Sequence, residues 1–125
     1  MRTPTPTLTP QELAIMKVVW TLETATVRDV YEHLRSRRTI AYTSVQTMMN
    51  VLETKGHLKK EPGEKAQTYI PVRPQQTVVR SMVREFVDRV FDGSARPLLV
   101  HLLKEKGLTA AERKELQKLL DKEGE

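Results

Sequence analysis

Four short hydrogen-bonding side chains repeat at helical spacing near the middle of the chain. Thr43, Gln46, Thr47 and Asn50 fall at i, i+3, i+4 and i+7, so a helix over Thr43–Lys55 would place them on one face. Compact donors and acceptors can reach base edges in a DNA groove, whereas the lysines and glutamates of ordinary solvated faces are longer. This face therefore favours hydrogen bonding to bases.

The opposite face of the same segment is apolar, which would anchor the helix in a core. Its residues are Val45, Met48, Met49 and Leu52. Thr43 followed by Gln46 also has the form of a capping box, which would explain Thr43 without DNA but not Gln46, Thr47 and Asn50. Gly56 is in position for a left-handed C-cap.

Two further helices are predicted before this one. Thr9-Pro10-Gln11-Glu12 predicts a capped first helix with an inward stripe of Leu13, Met16, Val19 and Trp20. A second helix is expected to start near Thr26, with Asp29 as its capping partner, and to bury Val27, Val30, Tyr31 and Leu34. The order helix, turn, helix is typical of DNA-binding domains.

A hairpin is predicted directly after the third helix. Its strands are His57–Lys60 and Gln67–Ile70, and the connection contains Pro62-Gly63. Three helices followed by a hairpin are the order of a winged helix, and the hairpin would be the wing. Its Lys59, Lys60 and Lys65 could then lie over a phosphate backbone.

The charge distribution favours a polyanionic partner. The 125-residue chain has a net charge of +5, and residues 33–60 contain six Lys/Arg against the single acid Glu53. We therefore expect phosphate contacts from Arg37, Arg38, Lys55, Lys59, Lys60 and Lys65.

Catalytic and metal-binding patterns are missing from the sequence. There is no cysteine, and His33, His57 and His101 are far apart, so each is interpreted as a surface or interface residue. No enzyme, cofactor or metal is predicted. No apolar run is long enough to cross a membrane, and a cytoplasmic location is expected.

The chain is predicted to be mainly α, with three parts: a flexible tail over 1–8, a winged helix over 9–72 and a three-helix region over 73–125. The last part contains helical patterns over about 75–91, 96–106 and 109–123, with a capping box at Thr109 and Glu112. Its apolar stripes are too small for independent stability. A second copy of the chain is the simplest partner, giving a homodimer.

Two segments resemble the BlaI/MecI family of bacterial winged-helix repressors. They are Leu8–Trp20, with the sequence LTPQELAIMKVVW, and Ala41–Gly56, with the sequence AYTSVQTMMNVLETKG. The similarity extends through the hairpin and the C-terminal helices. It implies a homodimer that binds a palindromic double-stranded DNA operator and represses transcription.

The resemblance also implies roles for individual residues. Base-reading positions are Thr43, Ser44, Gln46, Thr47 and Asn50, while Tyr42 joins the wing lysines at phosphates. The C-terminal helices resemble the family's dimerisation module, with interface candidates Val83, Phe86, Leu99, Leu102 and Leu119.

Two features depart from the family pattern. Members controlled by a β-lactam-sensing membrane protease are cut at an Asn–Phe bond, and the equivalent here is His101-Leu102. The sequence therefore does not decide whether a sensor protease is a partner of this chain. Copper-responsive relatives use C-terminal Cys-x-Cys pairs, which this chain lacks.

The alternative to a repressor is a winged-helix protein-interaction module without specific DNA binding.

Overall fold

A computed structural model describes residues 8–63, 66–105 and 107–123. These residues form two compact units, and the division falls between Met82 and Val83. The elements in chain order are α1 Pro10–Leu22, α2 Val27–Arg35, α3 Tyr42–Thr54, β1 Leu58–Glu61, β2 Thr68–Pro71, α4 Gln75–Phe91, α5 Arg96–Lys104 and α6 Ala110–Glu123. The predicted class, a winged helix followed by a helical region, is confirmed.

Local capping chemistry starts α1 and α2. The Thr9 hydroxyl accepts from the Glu12 N–H at 3.1 Å, and the Glu12 carboxylate accepts from the Thr9 N–H at 2.9 Å. Thr26 and Asp29 form the same reciprocal pair at 3.0 and 2.9 Å. Both predicted capping boxes are confirmed.

The core of the first unit lies between the three helices and the hairpin. Ile15 is fully buried, whereas Leu13 and Trp20 of the predicted stripe are only half-buried, because α1 packs against α2, α3 and β2 together. The Trp20 indole N–H donates to the Arg73 carbonyl at 3.0 Å. The buried set is Leu8, Ile15, Met16, Val19, Ala25, Val30, Leu34, Val45, Met49, Leu52, Leu58, Tyr69 and Val78.

The hairpin pairs β1 and β2 antiparallel, with Lys60 opposite Tyr69. Each strand begins one residue later than predicted. Ala25 pairs with Tyr69 on the other side, its N–H donating to the Tyr69 carbonyl at 3.0 Å and its carbonyl accepting the Tyr69 N–H at 2.8 Å. This pairing attaches the hairpin to the segment before α2.

The left-handed C-cap predicted at Gly56 is confirmed. Gly56 has φ 89°, its N–H donates to the Glu53 carbonyl at 3.0 Å, and the His57 N–H donates to the Leu52 carbonyl at 2.9 Å. The sharp turn brings the chain back under the helix, so His57 is buried. The prediction that His57 is a surface or interface residue was therefore wrong.

The division of the chain lies ten residues beyond the predicted boundary at 72. Val78 of α4 is buried in the core of the first unit, and Met82 packs against that core. The first turns of α4 thus belong to the winged-helix unit.

The second unit comprises the rest of α4 with α5 and α6. Val87 and Leu120 are buried, and the Phe91 ring lies against Phe86 and His101. The predicted capping box of Thr109 and Glu112 starts α6. Several large apolar side chains are exposed: Val83, Phe86, Val90, Leu102 and Leu119. No helix in the described part of the chain has the length and apolarity that a membrane crossing requires.

Candidate nucleic-acid interface

The third helix begins one residue earlier than predicted. Its N-cap is Ala41, whose extended backbone lets its carbonyl accept from the N–H groups of Ser44 and Val45 at 3.1 and 3.2 Å. No side chain caps this end, so the predicted capping box of Thr43 and Gln46 was wrong. Local capping therefore does not account for Thr43.

The two predicted faces of α3 are confirmed. Val45, Met49 and Leu52 are fully buried and Met48 is half-buried. Every base-reading candidate is exposed, namely Thr43, Ser44, Gln46, Thr47 and Asn50. The helix thus offers solvent a surface of short polar groups without a lysine or glutamate among them.

One residue of this surface was missed by the sequence reasoning. Thr54 is exposed and lies seven residues after Thr47 and four after Asn50, which extends the same stripe by one turn. Its hydroxyl donates to the Asn50 carbonyl at 3.1 Å. The helical spacing used for the other four could have found it.

Asn50 is connected to the wing. The Tyr69 hydroxyl donates to Asn50 Oδ1 at 3.0 Å, while Tyr69 itself is only 3% exposed. Nothing in the hairpin pattern singled out this tyrosine, because the two residues are 19 positions apart.

Lys55, predicted to contact phosphate, makes an ion pair within the domain. Lys55 Nζ lies 2.8 Å from Glu12 Oε2, and the Glu12 side chain is only 6% exposed. Burial raises the pKa of Glu12, but hydrogen bonds from Lys55 and Thr9 and the charge of Lys55 outweigh it, so the pKa lies below its ordinary value. Lys55 therefore neutralises a buried carboxylate within the domain.

Lys60 is also engaged within the protein. Its Nζ lies 3.5 Å from Glu53 Oε1 and 5.9 Å from the centroid of the Tyr69 ring. The phosphate contact of Lys60 stays a prediction, for a cation that already lies beside a carboxylate of α3. Lys65, predicted for the same role, lies outside the described residues.

Three predicted phosphate-binding cations are exposed and not engaged by a carboxylate of the described chain: Arg37 and Arg38 before α3, and Lys59 after it. We call these three residues the basic rim. Within the described chain none of them pairs with a carboxylate, whereas Arg35 is bound to Glu32 at 3.4 Å. The backbone N–H groups of Arg37 and Arg38 donate to the Leu34 carbonyl at 3.0 and 3.1 Å, which fixes the turn and leaves both side chains exposed.

The predicted aromatic phosphate contact is at the start of α3. Tyr42 is 40% exposed, and its ring meets Tyr31 edge-on with the centroids 5.5 Å apart. Tyr42 is thereby packed against α2, the helix that precedes Arg37 and Arg38 in the chain.

Within the described ranges, no three His, Asp or Glu side chains gather as a metal site would require. His33 is exposed, with its Nδ1 3.1 Å from the Asp29 carbonyl. The surface offers hydrogen bonds and positive charge.

Helix, turn, helix and hairpin with an exposed polar third helix define a winged helix of the nucleic-acid-binding class. The chain belongs to the penicillinase repressor family, which matches residues 8–122. This is a family of transcriptional repressors and not of enzymes.

Individual relatives agree with this assignment. The chain is 32% identical to the transcriptional regulator BlaI of Mycobacterium tuberculosis over 103 residues, which cover 81% of this chain and 75% of the relative. It is 24% identical to the penicillinase repressor of Bacillus licheniformis over 116 residues, covering 93% and 91%. The methicillin resistance regulatory protein MecI of Staphylococcus aureus is 19% identical over 111 residues, covering 89% and 90%.

A solved structure resembles part of the chain. It is the solution structure of monomeric Bacillus licheniformis BlaI in complex with the blaP half-operator. The TM-score is 0.51 at 25% identity, and the match covers 60% of this chain and 89% of that one.

Proposed function

We propose that this chain is a sequence-specific DNA-binding repressor that acts as a homodimer on a palindromic operator in the cytoplasm. The observation that carries the proposal is α3, whose apolar face is buried and whose polar face is exposed. Binding of a related BlaI to a half-operator supports the same use of the fold. Repression then follows from occupying the operator.

In this proposal α3 lies in the major groove and reads the sequence. Gln46 and Asn50 present amides, which can donate to and accept from base edges. Thr43, Ser44 and Thr47 add hydroxyls, and Thr54 lies on the same side. Their spacing along one helix face would let these side chains reach neighbouring base pairs.

The basic rim and Tyr42 would hold the domain on the phosphate backbone. Such contacts set register and supply affinity without reading sequence. Because each cation that reaches a phosphate releases counterions, affinity should fall steeply with salt. Lys55 and Lys60 contribute less, since their charges are already neutralised by Glu12 and Glu53.

The second unit would join two copies. Its exposed apolar residues Val83, Phe86, Leu102 and Leu119, with half-buried Leu99, are the proposed interface. Exposed apolar area of this kind favours association. Two linked half-site contacts would then raise operator affinity by increasing effective concentration.

Selection of bound sequences from random double-stranded DNA tests the proposal. We expect enrichment of a palindrome by the wild type and loss of base preference, with binding retained at low salt, by the Gln46→Ala/Asn50→Ala double variant. Gln76→Ala, an exposed glutamine at the start of α4, is the matched control. A wild type that enriches no sequence would favour the protein-interaction module instead.

A further inference from the structure

A side-chain hydrogen bond joins the wing to the third helix. The Tyr69 hydroxyl donates to Asn50 Oδ1 over 3.0 Å. Tyr69 is 3% exposed, whereas Asn50 is exposed, so the bond runs from the interior of the domain to the proposed reading surface. A buried residue of the hairpin can thereby control the orientation of a proposed base-reading side chain.

Tyr69 is held firmly enough to act in this way. Its backbone pairs with β1 on one side and with Ala25 on the other. The Lys60 ammonium lies 5.9 Å from the centre of its ring.

The bond limits what Asn50 can offer to a base. A primary amide has one accepting group, Oδ1, and one donating group, Nδ2. Pairing with adenine uses both, because adenine N6 donates and N7 accepts. Because Oδ1 is turned toward the Tyr69 hydroxyl and one of its two lone pairs is used, the group left more available to a base is Nδ2, which can only donate.

We propose that Tyr69 is a positioning residue that makes Asn50 a donor and so selects guanine over adenine at one base pair of each half-site. Guanine offers Nδ2 two adjacent acceptors in the major groove, O6 and N7, whereas adenine offers N7 alone and has an amino group where guanine has O6. The inference rests on the proposed function and adds the base class that Asn50 reads.

The test uses the full-length chain and the operator that it selects from random DNA. Each base pair of the half-site is exchanged symmetrically for all alternatives, and Kd is measured for each. We expect one position at which the wild type prefers guanine over adenine by on the order of tenfold. Tyr69→Phe should lower that ratio about fivefold or more, with unchanged affinity for random DNA.

Combining the Tyr69 and Asn50 substitutions shows whether Tyr69 acts through Asn50 or through a general effect on the wing. Asn50→Ala should abolish the preference at that position, and Tyr69→Phe should add nothing in the Asn50→Ala background. Tyr31→Phe removes a hydroxyl elsewhere in the same unit and should leave the ratio unchanged. Equal Tyr69→Phe effects at all positions, or an effect that persists without Asn50, would overturn the inference.

A second variant tests the inference even if Tyr69→Phe does not fold. Asn50→Asp keeps an oxygen that accepts from Tyr69 and removes the Nδ2 donor. We expect the guanine preference to disappear in this variant; its retention would contradict the inference. A wild type without preference at any position would overturn the proposed function as well. If the wild type selects a sequence but shows no guanine preference that is lost in the Asn50 variants, only the role of Tyr69 is overturned.

Discussion

Lys55 Nζ and Glu12 Oε2 lie 2.8 Å apart and join the end of α3 to the first turn of α1. Glu12 also caps α1 through its other carboxylate oxygen, Oε1. One buried side chain therefore fixes a helix start and the position of the proposed reading helix.

Lys55→Met should destabilise the protein. The change leaves the Glu12 carboxylate buried without its cation, which costs about 3–5 kcal/mol for a fully buried pair. Because the Lys55 side chain is 41% exposed, we expect a smaller loss of roughly 1–3 kcal/mol in the free energy of unfolding. Urea denaturation measures this loss of stability, and Lys17→Met, a substitution of an exposed lysine of α1, is the control. Equal stability of the two variants would mean that the ion pair contributes nothing.

Acid should weaken the fold through Glu12. Its folded pKa lies below the ordinary value of 4.5, so the folded state favours the ionised form. The stabilisation is complete above the unfolded pKa and is lost as pH falls through the folded one. The free energy of unfolding of Glu12→Gln should therefore depend less on pH below about 4.5 than that of the wild type. Parallel curves for the two proteins would contradict this assignment.

Lys59 and Lys60 are neighbours whose substitutions should differ. Lys59 is exposed, so Lys59→Ala should weaken binding to operator and random DNA equally and reduce the salt slope by about 0.9. Lys60 is bound to Glu53, so Lys60→Ala should change the slope less. Salt titrations of both variants decide the matter, and identical slopes would show that Lys60 leaves Glu53 on binding.

Gln46→Ala should relax specificity at one base pair of each half-site. A lost amide contact costs roughly 1–3 kcal/mol of discrimination against other bases. Affinity for random DNA should stay constant, since phosphate contacts are untouched. Competition with single-substituted operators gives the comparison, and a matching loss on random DNA would assign Gln46 to another role.

Leu102→Asp should break the proposed dimer. Leu102 is 37% exposed on α5, and a charge there would have to be buried in an apolar interface. Sedimentation should give a monomer, with lower affinity for the full operator and unchanged affinity for a half-site. Gln117→Asp, at an exposed polar position of α6, is the control. An undiminished dimer would place the interface elsewhere.

Local patterns in the sequence predict the helices and strands, but they do not predict contacts between residues that are distant in the sequence. The capping boxes at Thr9 and Thr26 depend on residues three positions apart, which a sequence displays directly. The partner of Lys55 is 43 positions away, so no local pattern reveals that this lysine pairs with Glu12. Asn50 was placed on the correct face, but its bond to Tyr69 depends on how the hairpin folds back.

The burial of Val78 and the bond from Trp20 to the Arg73 carbonyl decide how the chain can be dissected. A fragment that stops at the predicted boundary of 72 would lose both contacts and expose aliphatic surface. We expect it to express poorly and to aggregate. A fragment that continues through Met82 keeps them, and is the smaller piece in which half-site binding can be measured apart from dimerisation.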